Sequence, residues 1–157
     1  MLDAQQLIAQ LRRIVASTDN RVSRFQQIAD VLKSSGTYRW VGLYDVDYAA
    51  GLVKNIVWSG PEAPSYPVFP LTKGLTSSVI SFGKTINVGD VASDPRYLTA
   101  LGSTRSEIII PIFDSMGIKV IGTLDVESEF ENAFNAEAQS LLELFSKTIQ
   151  PLWTTAA

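Results

Sequence analysis

The sequence predicts an α+β fold in which helices pack on one face of a central antiparallel β-sheet. Three observations indicate this class. Amphipathic helical patterns lie at the two ends of the chain, and runs rich in β-branched and aromatic residues fill most of the middle. Short clusters of turn-forming residues join neighbouring runs, which is typical of β-hairpins. The predicted order of elements is α-α-β-β-β-α-β-β-β-α.

Two amphipathic helices open the chain. The first is predicted over residues 3–16, with Asp3 as its N-cap and apolar residues at three- and four-residue spacing. The second has an apolar face of its own and ends at Gly36. The apolar stripe of the first helix either packs on the core or pairs with a partner chain, and the helical pattern leaves both open. We therefore divide the chain into residues 1–20, an N-terminal helix that offers a dimer contact, and a main domain over residues 21–152.

The middle and the end of the chain supply the sheet and two further helices. A short helix is expected over residues 75–82. A final helix follows Asn135, its N-cap, and ends near Pro151. The predicted strands span residues 38–46, 52–59, 68–70, 85–88, 108–113 and 118–126.

Composition excludes several classes of function. The 157 residues contain no cysteine and no histidine, which rules out disulfides, thiolate chemistry, zinc sites built on Cys or His, and Ser-His-Asp triads. The net charge of −3 provides no basic surface for nucleic acid, and the apolar runs are too short to span a membrane. The N-terminus lacks the pattern of a signal peptide, so we expect a cytoplasmic protein of one domain, without a metal or cofactor.

Three acidic residues interrupt the most apolar hairpin of the chain. They are Glu107 in its first strand and Asp125 and Glu127 in its second. Because side chains alternate along a strand, Asp125 and Glu127 lie on one face together with Thr123. A connecting loop of three or five residues would pair Glu107 opposite Asp125 on that same face. A loop of two or four residues would turn Glu107 to the other face.

Clustered carboxylates repel one another unless a cation joins them, so this acidic trio needs an explanation. One interpretation places the acids at strand ends, where they meet Arg105, Lys119 or solvent. The other is a pocket for a ligand that carries an amine or other hydrogen-bond donors. Structural ion pairs also gather at sheet ends, and the residues alone therefore leave both interpretations open.

Other candidate residues are less specific. Gly74 at the start of the short helix either exposes backbone N–H groups to an anion or simply permits the turn. Residues 94–97 form either a ligand loop or a capped turn with a local ion pair. Trp40 and Tyr44 share a face with Tyr38 by the same alternation, and they line either the core or a pocket wall.

Several stretches taken in order resemble a GAF domain, the small-molecule sensing module of many signalling proteins. The resemblance implies a GAF/profilin-like sheet and covers residues 21–152. No single motif is decisive, whereas their order and spacing together are fairly specific. The stretches that carry it are residues 39–44, 74–91, 94–97, 106–112 and 122–128.

Within that family the chain is most similar to the free methionine-R-sulfoxide reductases, whose acidic residues hold an amino acid ligand. The Ser-Glu-Ile-x-x-Pro and Gly-x-Leu-Asp-x-Asp-Ser strands of those enzymes match Glu107 and Asp125, and Glu127 replaces an aspartate with its charge kept. Trp40 and Tyr44 match their aromatic strand. The resemblance therefore implies that the acidic trio is a ligand site.

The same resemblance argues against their reaction. Those enzymes reduce the sulfoxide with cysteine thiolates, and the matching positions here are Tyr66, Thr76 and Ala100. A hydroxyl or a methyl group cannot attack the sulfoxide sulfur and then resolve as a disulfide.

We therefore expect a non-catalytic sensor or regulatory domain that binds a small polar metabolite, such as an amino acid or a related amine. We expect it to be a homodimer that works with a separate output protein. A reductase-type enzyme is disfavoured, and an interaction module with a filled pocket stays an alternative. The expected ligand-binding residues are Trp40, Tyr44, Thr76, Ser106, Glu107, Asp125 and Glu127.

Overall fold

A computed structural model describes residues 2–98 and 101–154. It contains the predicted elements in the predicted order, with a short 3-10 helix at Val91–Ser93 and a last helical turn added. The helices are α1 (Ala4–Ala16), α2 (Arg21–Ser34), α3 (Gly74–Phe82), α4 (Ala136–Ile149) and α5 (Pro151–Thr154). The strands are β1 (Trp40–Asp47), β2 (Leu52–Ser59), β3 (Val68–Pro70), β4 (Ile86–Val88), β5 (Ser106–Phe113) and β6 (Val120–Ser128).

All six strands form one antiparallel sheet in the order β3-β2-β1-β6-β5-β4. The two long hairpins, β1–β2 and β5–β6, meet at the centre, where β1 pairs with β6. The short strands β3 and β4 are the two edges. The predicted α+β class with a central antiparallel sheet is therefore confirmed.

The larger core lies between the sheet and helices α1, α2, α4 and α5. Leu11 from α1, Phe25 from α2 and Phe145 from α4 are fully or almost fully buried against inward residues of the central strands. The stripe of α1 thus packs on its own core, against α2 and α4. Asp3 caps α1 and Asn135 caps α4, as predicted. None of the helices between residues 2 and 98 or 101 and 154 is long and apolar enough to cross a membrane.

The opposite face of the sheet is covered by α3 and by the irregular segments around it. Leu75 and Val79 of α3 pack on Ile109 of β5. A second apolar cluster, which includes Trp40 and Tyr44 of β1, lies next to them over the centre of the sheet. This face also carries the acidic trio, so α3 is the one helix that belongs to the candidate site rather than to the larger core.

The register of the β5–β6 hairpin decides where Glu107 points. Six residues, 114–119, connect the strands, and Phe113 pairs with Val120. If the pairing of Phe113 with Val120 continued along both strands without a break, the side chain of Glu107 would point to the opposite face from the other two acids. Ile121 forms a β-bulge that shifts the register by one residue, so Glu107 lies opposite Glu127. The expected partner, Asp125, pairs with Ile109 instead.

Tyr38 does not share a face with the aromatic residues of β1. It precedes the strand, whose first residue is Trp40, and side-chain alternation does not extend to it. Its ring stacks on Phe134 with the centroids 5.7 Å apart, beside the larger core. The predicted common face of Tyr38 with Trp40 and Tyr44 is therefore wrong.

Candidate functional site

The acidic trio is buried on the α3 face of the sheet. Glu107 and Asp125 are each 5% exposed, and Glu127 is fully buried. The cations that sequence analysis offered as partners are engaged elsewhere. Arg105 forms a salt bridge with Glu131, and the Lys119 ammonium lies 4.2 Å from the centroid of the Tyr48 ring. Three carboxylates therefore share a buried face, and no salt bridge in the described part of the chain reaches them.

Hydroxyl groups supply part of the hydrogen bonding that the trio needs. Thr123 donates to Oδ1 of Asp125 over 2.7 Å, and the Tyr97 hydroxyl donates to Oε1 of Glu127 over 3.5 Å. Oε2 of Glu127 and Oγ1 of the nearby Thr104 are buried without a hydrogen-bond partner. A buried carboxylate oxygen without a partner is costly, which indicates that the site is incomplete as it stands.

Burial raises the pKa of all three carboxyl groups. The pKa of Glu107 rises well above its ordinary value through desolvation, with the charges of Glu127 and Asp125 adding to the rise. Desolvation raises the pKa of Asp125 to about 8, against the Thr123 hydrogen bond. It raises the pKa of Glu127 to about 7, against the Tyr97 hydroxyl and the nearby Thr104 hydroxyl, which does not form a hydrogen bond of normal geometry with Glu127. The trio therefore retains part of its protons at neutral pH, and a bound cation would favour their release.

A small cavity lies beside the trio, with a volume of about 30 Å³. That is room for about one water molecule, whereas most ligand pockets measure about 300–1,000 Å³. Glu107 and Asp125 form its acidic side and the start of α3 forms another wall. The residues that line it are Tyr44, Tyr66, Phe69, Gly74, Leu75, Thr76, Leu98, Glu107, Ile109 and Asp125.

Tyr66 and Phe69 narrow this cavity from the segment that connects β2 to α3. Phe69 is 8% exposed and its ring packs against Tyr44 with the centroids 6.0 Å apart. Tyr66 is 49% exposed, so about half of its side chain already faces solvent. An outward rotation of Tyr66 would enlarge the cavity at a moderate cost in buried area, because about half of the side chain is exposed to begin with.

The aromatic strand β1 supports the cavity wall from behind. Trp40 is fully buried, donates its indole N–H to the carbonyl of Glu62 over 3.1 Å, and lies 6.4 Å from Tyr44 between ring centroids. Both rings lie over Gly42, where an added Cβ would come within 2.3 Å of the Trp40 ring. Only Tyr44 reaches the cavity itself. Burial, followed by the charges of the acidic trio, raises the Tyr44 pKa well above its ordinary value and keeps its hydroxyl protonated.

The start of α3 forms a second wall of the cavity, separate from the wall formed by Glu107 and Asp125. Gly74 has φ +74°, and an added Cβ there would come within 3.1 Å of Leu98, so the turn requires glycine. The N-cap residue, Lys73, makes no side-chain hydrogen bond to the helix. The first-turn N–H groups of α3 therefore have no capping side chain, while Gly74, Leu75 and Thr76 line the cavity.

The structure brings together most, but not all, of the predicted ligand-binding residues. Tyr44, Thr76, Glu107 and Asp125 line the cavity, whereas Trp40 and Glu127 are not among its lining residues. Ser106 does not line the cavity, and its predicted place among the ligand-binding residues is therefore corrected. Because alternate residues of β5 point to opposite faces, Ser106 faces the helix side. There its hydroxyl donates to the Phe130 carbonyl over 2.6 Å and accepts from the Ala133 N–H.

Sequence reasoning did not single out three apolar lining residues, Leu75, Leu98 and Ile109. Leu98 comes from an irregular segment, where no periodic pattern exists to assign a face. Tyr66 and Thr76, which the resemblance matches to cysteine positions of the reductases, both line the cavity. Ala100, the third such position, lies outside the described residues. Among residues 2–98 and 101–154, no group of three His, Cys, Asp or Glu side chains is arranged to hold a metal ion.

The fold and the site together define a small α+β domain with an acidic cavity under its third helix. The chain belongs to the GAF domain family, because the family model described as GAF domain matches residues 23–151.

Among its relatives are GAF domain-containing protein A of Dictyostelium discoideum, 28% identical over 83% of this chain and 80% of that protein, and protein YtsP of Bacillus subtilis, 24% identical over 94% of this chain and 89% of that protein. A similar solved structure is the free methionine-R-sulfoxide reductase of Neisseria meningitidis in complex with its substrate. It has a TM-score of 0.85 and 28% identity, and the match covers 96% of this chain and 88% of that one.

Proposed function

We propose that this GAF domain binds a small amine-bearing metabolite, such as an amino acid, and acts as a non-catalytic sensor or regulatory domain. One observation carries the proposal. Glu107, Asp125 and Glu127 are buried together beside a cavity, and no cation of the described chain pairs with them. An ammonium group would supply the missing positive charge and three N–H donors, which is the chemistry that buried carboxylates require.

The opposite wall of the cavity favours an amino acid over a simple amine. The uncapped first turn of α3 carries partial positive charge, and Thr76 adds a hydroxyl there. An α-amino acid would place its ammonium towards Glu107 and Asp125 and its carboxylate towards this helix end. The similarity to a reductase solved with free methionine-R-sulfoxide as its substrate supports a ligand of this class.

The residues that stand where the reductases have cysteines support binding without that reaction. Tyr66 and Thr76 present hydroxyl groups to the cavity, and the sequence has no cysteine. A hydroxyl does not form the sulfur–sulfur bond that thiol-based sulfoxide reduction requires. We therefore assign no catalytic residue to this site.

The size of the cavity favours a second candidate, an interaction module whose pocket has filled in. A volume of about 30 Å³ leaves no room for an amino acid in this conformation of the cavity. The two candidates differ in what Tyr66 does. In a sensor it moves aside when the ligand enters, and in a filled module it stays in place under all conditions.

A thermal-shift screen distinguishes these candidates. The purified protein is tested against amino acids, methionine sulfoxide, polyamines and cyclic nucleotides. A ligand at one hundred times its Kd stabilises by about 2.7 kcal/mol, which raises the Tm of a domain of this size by roughly 5–10 °C. We expect a hit among the amino acids that Asp125→Asn abolishes and Glu129→Gln, the change of an exposed acid just beyond the trio, leaves intact. If no compound of the panel raises the Tm, the interaction module with a filled pocket is the better candidate.

We further propose that the domain works as a homodimer in the cytoplasm and regulates a separate output protein. The net charge of −3 supports a protein partner over nucleic acid. The division into residues 1–20 and 21–152 remains a proposal as well. Leu7, Leu11 and Ile14 of α1 are buried in the chain's own core, which leaves that stripe little apolar surface to offer a partner.

A further inference from the structure

The two carboxylates that line the acidic cavity come from neighbouring strands. Glu107 of β5 pairs with Glu127 of β6, which makes Asp125 its diagonal neighbour on the same face. Diagonal neighbours in a sheet lie about 7–8 Å apart. Within residues 2–98 and 101–154 no three acidic side chains are arranged to hold a metal ion, so the oxygen atoms of the trio do not converge on one point. A cation with N–H donors on several sides therefore suits these acids better than a single charged atom.

Glu107 has no hydrogen-bond donor among the described residues. Its side chain lines the cavity although the residue is only 5% exposed, and the influences on its pKa are desolvation and the neighbouring acids, without a hydrogen bond. Asp125 accepts one hydrogen bond, from Thr123 to Oδ1. Both oxygens of Glu107 and Oδ2 of Asp125 are thus left for a ligand, and each has two lone pairs to satisfy.

Aromatic rings form further walls of the same cavity. The planes of Tyr44 and Phe69 are inclined by 65° with the centroids 6.0 Å apart, so the two rings make adjoining walls, and Tyr66 adds a third ring. Ring faces attract cations, and a planar guanidinium stacks on them. None of the described residues that line the cavity is Lys or Arg, so the ligand has to bring the positive charge.

We propose that the acidic cavity takes a small guanidino compound, whose guanidinium group lies between Glu107, Asp125 and the aromatic walls. A guanidinium has five N–H donors in one plane, against the three of an ammonium, and forms paired hydrogen bonds with carboxylates. It is also more weakly hydrated than an ammonium, so less is lost when it leaves water. The inference rests on the proposed function and narrows the cationic group of its ligand to a guanidinium.

A guanidinium also keeps its proton beside these acids. Burial lowers the pKa of an alkylammonium, which starts at about 10, whereas burial has raised the pKa of Asp125 to about 8. The two values approach each other, and proton transfer from the ammonium to the carboxylate would remove both charges. A guanidinium starts above about 12 and stays charged, so the attraction to both acids is preserved.

Isothermal titration calorimetry at pH 7 with two matched ligand series tests the inference. Guanidinoacetate, glycine and N-carbamoylglycine share a carboxylate but carry a guanidinium, an ammonium and a neutral urea group. Free arginine, lysine and citrulline repeat the comparison at greater length. We expect the guanidino compound of at least one series to bind roughly 10-fold more tightly than its ammonium counterpart, and the urea analogue of that series not to bind.

The outcomes separate this inference from the proposed function. Ammonium compounds that bind as tightly as the guanidino compounds, or more tightly, would overturn the inference and leave the proposed function intact. Urea analogues that bind as tightly would overturn it as well, because they carry no charge on that group. Binding by neither series would also overturn it, and the thermal-shift screen then decides separately on the proposed function.

Substitutions in the cavity walls supply a second test. Glu107→Gln should abolish binding of the guanidino compound, and Glu129→Gln should not; equal affinities would overturn the inference. Phe69→Leu removes a ring at similar volume and should lower the preference for guanidinium over ammonium several-fold, whereas Phe130→Leu, at a 60% exposed ring outside the cavity, should not. Circular dichroism verifies folding, and Tyr66→Leu replaces Phe69→Leu where the latter does not fold. An unchanged preference would contradict stacking on the rings.

Discussion

Glu107 and Glu127 lie directly opposite each other on β5 and β6, on the same face of the sheet. Like charges in this arrangement repel, and both side chains are almost completely buried. The β-bulge at Ile121 creates the pairing, because it shifts a register that would otherwise have separated the two acids. The hairpin thus gathers negative charge at a cost in stability, which is expected of a binding site rather than of a structural core.

Stability of the ligand-free protein should fall as the pH rises from about 4 to about 8. The folded carboxyl groups have raised pKa values, about 8 for Asp125 and about 7 for Glu127, whereas unfolded carboxyl groups titrate near 4. Between these values the folded state binds more protons than the unfolded state, so deprotonation favours unfolding. Thermal unfolding across this range measures the slope. A Tm that rises steadily over the same range in wild type but not in Asp125→Asn would contradict the assignment.

Glu107→Gln should stabilise the ligand-free protein while it removes ligand binding. The amide keeps the shape of the side chain but carries no charge to desolvate or to repel Asp125 and Glu127. We expect the Tm at pH 8 to rise by a few degrees and the response to amino acids to disappear. Glu129→Gln is the control, and it should change neither quantity. A lower Tm in Glu107→Gln would indicate that the charge contributes to the fold.

Gly42→Ala should destabilise the domain by roughly 1–3 kcal/mol. A Cβ at this position would lie 2.3 Å from the Trp40 ring and 2.9 Å from the Tyr44 ring, and both rings are packed in the second apolar cluster. Gly102→Ala is the matched control, since nothing lies within 4 Å of its added Cβ. Urea unfolding of the two variants measures the difference. Equal midpoints would show that the aromatic rings relax freely.

Tyr66→Ala should speed up ligand association several-fold. Entry requires a conformation in which the cavity is open, and removing the half-exposed ring increases the population of that conformation. Phe130→Ala, at another exposed aromatic residue, serves as the control and should leave the rate unchanged. Stopped-flow fluorescence measures both rates. An unchanged rate in Tyr66→Ala would mean that another element, such as Leu98, limits entry.

Much of the fold could be predicted from local pattern. Helical periodicity and N-cap residues located α1 and α4, and turn clusters located the hairpins. Side-chain alternation placed Asp125 with Glu127 and Thr123. Alternation could not choose the face of Glu107, because a bulge of one residue reverses the outcome and no sequence signal marks Ile121.

The parts of the site that pattern could not predict depend on tertiary contacts. The prediction of Ser106 followed a motif in which it is adjacent to Glu107, and adjacent residues on a strand face opposite ways. The size of the cavity is set by Tyr66, Phe69 and Leu98, which come from segments without periodicity. Their placement depends on packing against Tyr44 and α3, and local sequence patterns do not predict such tertiary contacts.

Isothermal titration calorimetry of the best amino acid ligand, in two buffers of different ionisation enthalpy at pH 7, tests the central claim most directly. The claim is that an ammonium replaces protons held by the acidic trio. It predicts net proton release on binding, and a loss of affinity of at least about 30-fold in Asp125→Asn but not in Glu129→Gln. Binding without proton release and with equal affinity in both variants would contradict it.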